Sequence, residues 1–377
     1  MNALPTHHSL LYPVAPQTLS RIVRFGIVGP YTPTPNGLAR FGAGLSNALS
    51  AQGSQSGVIR TAGGQNSMCQ DLLNEVDVAI IQHEFGSYGS VDGDEVLEIV
   101  DGLRVPSIVI AHAIPKTPTS HQRSVLEKIV ARAGHVVVMS DAARQRLSGG
   151  YAVERRKVTT IPHGATVPNS PRAKRPSRPT ILTLGLLGPG KGIERVIDAM
   201  PSLNGVPGRP RYLVAGPTHP KVLAAEGEAY RNARIEQARR NGVADSVSFD
   251  SGYYDNAMLT ALIQQASVVV LPYDSTEQVT SGVLVDAIAN GRPVVATAFP
   301  HAVELLSSGA GIIVGHDDPG ALAATLHQII TQPRLAGSMA AEARQRAPEM
   351  AWPVVASAYV GLANRLLAQG RTGFTQP

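Results

Sequence analysis

Short apolar runs rich in Val, Ile and Ala recur along the chain, and segments with apolar residues at helical spacing separate them. A short run bounded by turn residues is typical of a buried strand, and the periodic segments predict amphipathic helices. This alternation favours parallel sheets covered by helices on both faces, with right-handed crossovers. In the first half, strands are predicted at residues 22–29, 57–60, 76–82, 107–111, 135–139 and 158–161, and a helix at 38–52.

The pattern is interrupted once and then starts again. Residues 167–179 hold four prolines, four basic residues and almost nothing apolar, which indicates a linker. The chain therefore predicts an α/β fold with two doubly wound, Rossmann-like parallel-sheet domains that face a central cleft. The second half has predicted strands at residues 180–185, 211–215, 246–249, 267–271, 293–297 and 311–314.

These patterns set the predicted domain bounds. The N-terminal domain covers residues 1–170, a linker covers 171–180, and the C-terminal domain covers 181–350. A final helix, beginning near Trp352 within 351–377, comes after the second set of strands is complete. We expect this helix to cross back to the N-terminal domain.

Composition narrows the classes of protein. A chain of 377 residues with 43% hydrophobic residues can bury two cores of ordinary size. The single cysteine, Cys69, excludes a disulfide framework and a Cys-rich metal site, so a reducing cytosol is the expected location. The start of the chain lacks a signal-peptide pattern, and no stretch of eighteen apolar residues occurs.

The net charge of +5 is compatible with an anionic partner, whether a phosphorylated donor, a membrane surface or nucleic acid. We expect no nucleic acid, because the chain has no known motif and no interleaved aromatic residues. The basic run 155–157 and the basic residues of the linker are most simply solvated surface. Peripheral membrane contact is the less favoured interpretation, since a membrane-binding segment is expected to add an apolar face.

The most informative segment is residues 271–297. An apolar strand ends in a polar loop, and the turn at Thr280, Ser281 and Gly282 opens a helix that carries Asp286. Such a loop presents free backbone N–H groups at a helix N-terminus, where a phosphate fits. An acid one and a half turns further along is placed to hydrogen-bond a sugar hydroxyl beside that phosphate. The segment predicts a nucleotide-sugar site.

Other candidates follow predicted strands in the first half. His83 and Glu84 come directly after an apolar strand, and His112 follows the next strand. Two strands that deliver titratable groups to one sheet edge indicate a cleft, although a single strand-end histidine is often structural. Gly37 precedes the first helix and allows close approach of a ligand, or is simply a loop residue.

Two glycine loops occupy similar places in the second half. Residues 185–192 combine Gly188 and Gly190 with Lys191 but lack the spacing of a P-loop, so they hold a diphosphate or form a simple turn. Gly216 lies in a second turn after a strand. The triplet Asp92-Gly93-Asp94 resembles a metal-holding motif of other sugar-transfer folds, but a solvated turn is the favoured interpretation. With no zinc-ligand spacing elsewhere, we predict no metal site.

Seven motifs occur in an order that resembles a known family: NGLARF at the first helix, IPHGA at 161–165, GPGKG, LVAG, VVVLPY, SGVLVDAIANGRPVVAT and the terminal helix near Trp352. They are similar to family 4 of the retaining, nucleotide-sugar-dependent glycosyltransferases, the glycosyl group 1 type with the GT-B fold. The resemblance covers residues 22 to about 367. It implies hexose transfer from a nucleotide sugar to a carbohydrate or other hydroxyl acceptor, without a metal.

The resemblance also assigns roles to single residues. Asp286 is similar to the second acid of the E-x7-E signature, which binds the donor ribose, while the first acid falls on Gln278. Lys191 resembles the diphosphate lysine. Its usual arginine partner, five residues earlier, is Leu186 here, so Lys191 acts alone or with a different cation.

The remaining roles concern the phosphates and the reaction centre. The N–H groups of Ser281, Gly282 and Val283 are expected to hold the distal phosphate, with Gly37 beneath it, and His112 resembles the histidine near the donor sugar. The expected catalytic residues are thus His112, Lys191 and Gln278, and His83 and Glu84 are expected in the acceptor side of the cleft. The full donor-binding set is Gly37, Gly188, Gly190, Lys191, Gly216, Ser281, Gly282, Val283 and Asp286.

The identity of the substrates stays open at this point. GDP-mannose or UDP-glucose is the donor to consider, with mannose favoured, and the acceptor is a carbohydrate or glycolipid that contacts the loops at 31–36 and 85–94. A nicotinamide-dependent oxidoreductase is a rival, but the segment after the first strand lacks GxGxxG. A sugar-nucleotide binding protein with little or no catalysis is the second rival, which Gln278 and Leu186 favour. A cytoplasmic location, with peripheral contact at the inner membrane face as an option, is expected, and the oligomeric state is open.

Overall fold

The computed structural model of the protein describes residues 22–30, 37–61, 66–169, 178–252 and 254–372. Two six-stranded sheets form the framework, and every neighbouring pair of strands in them is parallel. The predicted α/β fold with two doubly wound sheets is confirmed. The predicted loop at 31–36 and most of the linker lie outside the described residues.

The first sheet has the strand order β2-β1-β3-β4-β5-β6. Its strands are β1 (Arg24–Pro30), β2 (Gln55–Thr61), β3 (Val78–His83), β4 (Ser107–Ala111), β5 (His135–Val138) and β6 (Val158–Thr160). Its helices are α1 (Gly37–Ala51), α2 (Asn66–Asn74), α3 (Val96–Asp101), α4 (Ser120–Arg132) and α5 (Asp141–Gly150).

The second sheet has the order β12-β11-β10-β7-β8-β9. Its strands are β7 (Thr180–Leu184), β8 (Arg211–Ala215), β9 (Val247–Asp250), β10 (Val268–Leu271), β11 (Val294–Thr297) and β12 (Gly311–Val314). The helices that follow these strands are α6 (Ile193–Ala199), α7 (Pro220–Glu226), α8 (Ala229–Arg240), α9 (Asn256–Gln265), α10 (Gly282–Ala289), α11 (Pro300–Leu306), α12 (Pro319–Thr331) and α13 (Pro333–Arg346).

Each sheet reverses its direction of winding at one point, which lies between β1 and β3 in the first sheet and between β7 and β10 in the second. Ligands of open α/β sheets bind outside the carboxyl ends of the strands at such a switch point, because the flanking loops diverge there. The switch point of the second sheet brings together the glycine loop after β7 and the loop that leads into α10. The topology therefore predicts where the functional loops meet.

The last helix, α14 (Trp352–Thr372), packs on the first domain. Val355, Tyr359 and Leu362 of α14 are buried with Phe41 and Leu45 of α1 in one apolar cluster. The chain returns to the first domain just before this helix, where the N–H of Ala165 donates to the carbonyl of Met350 at 2.8 Å. The two domains are therefore joined by two chain crossings that lie side by side.

A loop of the second domain also enters the first domain. Val279, which precedes α10, is 3% exposed and belongs to the apolar cluster between the first sheet and α3, α4 and α5. Its carbonyl accepts a hydrogen bond from Ser140 Oγ at 2.6 Å, at the start of α5. The domains thus meet along a packed interface, and the loop before α10 is part of it.

Hydropathy gives one further finding. Within the ranges that the structure describes, none of the helices combines the length and the apolar character that crossing a bilayer requires.

Candidate active site

A cavity of about 270 Å³, called the main cavity below, lies in the cleft between the two domains. The first domain contributes Gly37 and Arg40 from α1, and the second contributes Lys191 and the first turn of α10 through Val283. The loops after β7, β8 and β9 complete it with residues Leu184, Gly185, Leu186, Ala215, Gly216, Pro217, His219, Gly252 and Tyr254, and Leu259 of α9 closes one side.

Glycines let two loops of the second domain meet closely beneath this cavity. Gly216 has a φ of +134°, and a Cβ on it would lie 2.1 Å from the carbonyl oxygen of Gly185. No other residue type fits there. Gly188 and Gly190 were also expected to bind the donor, but they do not line the cavity. Gly188 packs near Val222, and the carbonyl of Gly190 accepts from the N–H of Asp274 at 3.0 Å, so both shape the loop.

Lys191 is the cation of that loop. Its Nζ lies 4.5 Å from the centre of the Tyr273 ring, a cation–π contact that fixes the side chain. Among the described residues, no carboxylate pairs with this ammonium group. Lys191 therefore offers an unneutralised positive charge to the cavity.

Of the three backbone N–H groups at the start of α10 that were expected to hold a phosphate, one is already paired within the protein. Ser281 caps the helix, since its Oγ accepts from the N–H of Leu284. The N–H of Ser281 itself donates to Nδ1 of His301 at 2.8 Å, so the prediction that this group holds a phosphate is wrong. The N–H groups of Gly282 and Val283 have no acceptor within the described part of the chain, and they remain as anion donors at the helix N-terminus.

Asp286 is paired across the domain interface. Nη2 of Arg40, in α1, donates to its carboxylate at 2.6 Å, and the two side chains are 28% and 15% exposed. Burial raises the pKa of Asp286, and the guanidinium of Arg40 opposes that rise. The carboxylate faces a separate small cavity that also contains His163 and Asn290. Arg40 lines both cavities and binds Asp286, whereas Asp286 does not line the main cavity. The assignment of Asp286 to a ribose from the sequence did not include this pairing.

Gln278 does not line the main cavity, in contrast to its expected catalytic position. Its Nε2 donates to the carbonyl of Thr280 at 2.9 Å, and its own carbonyl accepts from the N–H of His301. The neighbouring carbonyl of Glu277 accepts from Nη1 of Arg146 in α5 at 2.6 Å. The contact of Glu277 with Arg146 attaches this loop to the first domain, while Gln278 itself is bonded within the second.

Histidines surround the cleft and are held in the neutral form. His83 is fully buried, and neither of its ring nitrogens has a hydrogen-bond partner among the described residues. Burial lowers the pKa of His83 to about 4 and that of His112 to about 3. His112 meets the Phe41 ring edge-on, with centroids 5.2 Å apart, and Nε2 of His112 has no partner in the described ranges. At neutral pH both side chains act as hydrogen-bonding groups and not as cations.

Two further histidines were missed by the sequence reasoning. Burial lowers the pKa of His163 to about 4, with Arg40 adding to the effect, and lowers that of His301 to about 3. Nε2 of His163 lies 3.0 Å from the position of a Cβ on Gly282, directly against the first turn of α10. A signal existed for His163, because it stands in the IPHGA motif, whereas nothing in the sequence near His301 marked it.

Glu84 lies beside the second domain. Burial raises the pKa of Glu84, while Lys221 in α7 lowers it. Lys221 belongs to the second domain, so Glu84 lies within reach of a charge from that domain. Neither His83 nor Glu84 lines the main cavity.

The Asp92-Gly93-Asp94 turn forms a surface cluster with His121. The two ring nitrogens of His121 lie 3.0 Å from a carboxylate oxygen of Asp92 and 3.3 Å from one of Asp94. The described residues include no group of three His, Cys, Asp or Glu side chains placed to hold a metal ion.

The main cavity carries positive charge, since its described lining contains Arg40 and Lys191 and no carboxylate. This arrangement suits an anionic ligand.

Comparison with known proteins agrees with this geometry. Residues 178–332 match the family model described as glycosyl transferases group 1, so the second domain is a group 1 glycosyltransferase domain. The two described domains together have the GT-B fold of solved glycosyltransferase structures. The predicted resemblance to this class of glycosyltransferases is therefore confirmed.

Three solved structures illustrate the similarity of fold. A glycosyltransferase from Rickettsia africae superimposes with a TM-score of 0.73 at 14% identity, over 92% of this chain and 99% of the other. HepE of Anabaena, in complex with UDP and glucose, gives 0.73 at 15% identity, over 91% and 100%. Sucrose-phosphate synthase of Thermosynechococcus elongatus gives 0.70 at 17% identity, over 92% and 100%. No curated protein sequence matches this chain significantly.

Proposed function

We propose that this protein transfers a hexose from a nucleoside-diphosphate sugar to a hydroxyl group of a carbohydrate or glycolipid acceptor, with retention of the anomeric configuration and without a metal. One observation carries the proposal. The cavity between the two domains joins Lys191, Arg40 and Val283, whose N–H group lies in the first turn of α10, and its described lining contains no carboxylate. A diphosphate is the ligand that this combination of donors binds best.

The same groups assist the transfer. The bond between the anomeric carbon and the leaving phosphate oxygen breaks, and a bond to the acceptor oxygen forms on the same face of the sugar. The proton of the acceptor hydroxyl passes to the leaving diphosphate, so atoms and charge balance. Negative charge grows on the diphosphate as the bond breaks, and Lys191 and the α10 N-terminus stabilise it there. A packed interface between the domains excludes water, which limits hydrolysis of the donor.

The neutral histidines suit the sugar side of this reaction. Because burial keeps His112 uncharged, its free Nε2 accepts or donates a hydrogen bond to a hydroxyl without attracting the diphosphate. We assign His112 to the donor sugar, and His83 and Glu84 to the acceptor side of the cleft. Gln278 is less suited to a catalytic role, since its amide nitrogen is used within its own turn.

The donor is proposed at the level of a hexose linked to a nucleoside diphosphate. The related fold of HepE has been solved with UDP-glucose, which favours that donor, and GDP-mannose is the alternative that the sequence reasoning favoured. We propose a cytoplasmic location, supported by the single buried thiol of Cys69. Peripheral contact with the inner membrane face belongs with the glycolipid acceptor in this proposal.

The test measures release of nucleoside diphosphate from UDP-glucose, GDP-mannose and further nucleotide sugars, with panels of sugar and glycolipid acceptors, in the presence of EDTA. We expect release that depends on one donor and one class of acceptor, and an α-linked product from an α-linked donor by NMR. Tight donor binding without turnover on any acceptor would overturn the enzyme proposal. That outcome would favour a catalytically inactive sugar-nucleotide binding protein, which the replacement of the usual acid by Gln278 makes the second candidate.

A further inference from the structure

Arg40 lies at the boundary between two cavities. It follows Gly37 by three residues in α1, so both face the cleft from the same side of the helix. Arg40 lines the main cavity together with Lys191, and it also lines the small cavity that contains Asp286. The guanidinium of Arg40 is therefore the only arginine group that the described lining of the main cavity contains.

The contact with Asp286 uses one part of this guanidinium. Nη2 donates to the carboxylate at 2.6 Å, and the remaining N–H groups of Arg40 have no acceptor among the residues that the structure describes. A guanidinium carries five N–H donors in a rigid planar fork. One carboxylate can therefore orient the group while its other edge binds a second anion.

The loop after β7 supplies only one positive charge to the cavity. Lys191 supplies a single ammonium group, and Leu186 in the same wall is apolar. A diphosphate carries more negative charge than one ammonium neutralises, and planar guanidinium groups bind phosphate oxygens in pairs. Arg40 and Lys191 both line the cavity, Arg40 from α1 of the first domain and Lys191 from the loop after β7 of the second.

We propose that Arg40 is the second cation of the diphosphate site and that Asp286 is a positioning residue that holds its guanidinium. The inference rests on the proposed function and adds which groups pair with the diphosphate and which residue holds Arg40 in place. It has a consequence for the whole cleft. Because the two cations belong to different domains, the diphosphate site is complete only while the domains are in contact.

The test compares dissociation constants for diphosphates and monophosphates by titration calorimetry. UDP, GDP and ADP are titrated in parallel, and the base that binds most tightly is then compared with its monophosphate. In Arg40→Gln we expect diphosphate affinity to fall about tenfold or more, and monophosphate affinity to fall much less. Arg40→Lys should recover part of the loss. Leu186→Arg in the Arg40→Gln background should also recover part of the lost affinity, because it supplies a guanidinium from the loop that carries Lys191.

The control addresses the buried acid. Arg40→Gln leaves Asp286 without its cation, so the double variant Arg40→Gln/Asp286→Asn is measured as well, and circular dichroism checks its fold. Asp286→Asn alone keeps an acceptor for Arg40, and its ratio of monophosphate to diphosphate dissociation constants should stay within about threefold of wild type. An unchanged ratio in the double variant would overturn the inference and leave the proposed function standing. If the wild-type protein binds none of the three diphosphates, both the inference and the proposed function would be overturned.

Discussion

Four histidines around the cleft are neutral hydrogen-bonding groups near pH 7, because burial removes the solvation that their charged forms require: His83, His112, His163 and His301. His301 illustrates the structural use of this state. Its Nδ1 accepts from the N–H of Ser281, which requires an unprotonated nitrogen at that position. Protonation of His301 would therefore break the contact that holds the turn before α10.

This state predicts how stability depends on pH. The folded pKa values of His83 and His163 are about 4 and those of His112 and His301 about 3, below the ordinary value of 6.5. Between pH 6.5 and about 4 the unfolded chain binds more protons, so the free energy of unfolding falls as the pH falls. Each histidine contributes up to about 1.4 kcal/mol per pH unit in that window.

The matched variant is His301→Asn, whose side-chain oxygen can accept from Ser281 but does not titrate. We expect urea unfolding of this variant to show a smaller slope of stability against pH between 6.5 and 4 than wild type. His301→Ala should lose stability at pH 8 as well, because the N–H of Ser281 is left without its acceptor. An identical slope in wild type and His301→Asn would show that His301 is not held neutral.

Backbone conformation at Gly192 gives a second prediction at this scale. Gly192 has a φ of +63°, and a Cβ there would lie 1.7 Å from the carbonyl oxygen of Pro272. Gly192→Ala must therefore move the loop that carries Lys191, and we expect a loss of about 3 kcal/mol in urea unfolding. Gly205→Ala is the control, since a Cβ at Gly205 meets no atom within 4 Å. Equal stability of the two variants would contradict the close approach.

At the scale of elements, the N-terminus of α5 is capped from the other domain. The carboxylate of Glu304 in α11 accepts from the N–H groups of Asp141 and Ala142 at 3.0 and 2.8 Å. Ser140, the N-cap of α5, donates from its Oγ to the carbonyl of Val279 in the loop before α10. Glu304 of the second domain thus satisfies two N–H groups at this helix end, and the loop before α10 holds the hydroxyl of its N-cap, which links helix capping to contact between the domains.

Removal of this cap should loosen the interface. We expect Glu304→Ala to lower stability by about 1 kcal/mol and to speed hydrogen exchange at the amides of Asp141 and Ala142. Glu304→Gln keeps an acceptor but no charge, so its effect should be smaller than that of Glu304→Ala. Unchanged exchange at both amides in Glu304→Ala would contradict the capping contact.

The positions of the strands were easier to predict from the sequence than the contacts between residues far apart along the chain. Three predicted strands, at 107–111, 211–215 and 311–314, are reproduced without change and the others within about two residues, because buried parallel strands read as continuous apolar runs. Lys191 was predictable from a glycine loop after a strand. The pairing of Arg40 with Asp286 was not, since 246 residues separate them along the chain and no local pattern joins them. The same reason explains the wrong assignment of the Ser281 N–H, whose acceptor lies in another helix.

At the scale of the whole molecule, the site belongs to neither domain alone. The first domain brings Arg40 to the cleft, and the second brings Lys191 and the first turn of α10. The two chain crossings at Ala165 and Met350 hold the domains in register beside this cleft. Function therefore depends on how the two sheets face each other, which the order of motifs along the sequence implied but did not specify.

The central claim, that the cleft binds a nucleoside-diphosphate sugar through Lys191, is tested most directly by a thermal-shift titration. Wild type, Lys191→Ala and Lys128→Ala, which removes an exposed lysine of α4, are compared with a panel of nucleotide sugars. At a ligand concentration about 100 times Kd, binding adds about 2.7 kcal/mol to the stability of the folded protein. We predict that at least one nucleotide sugar raises the Tm of wild type and Lys128→Ala, and that most of this rise is lost in Lys191→Ala. An equal rise in Lys191→Ala, or no rise in wild type with any nucleotide sugar, would contradict the account.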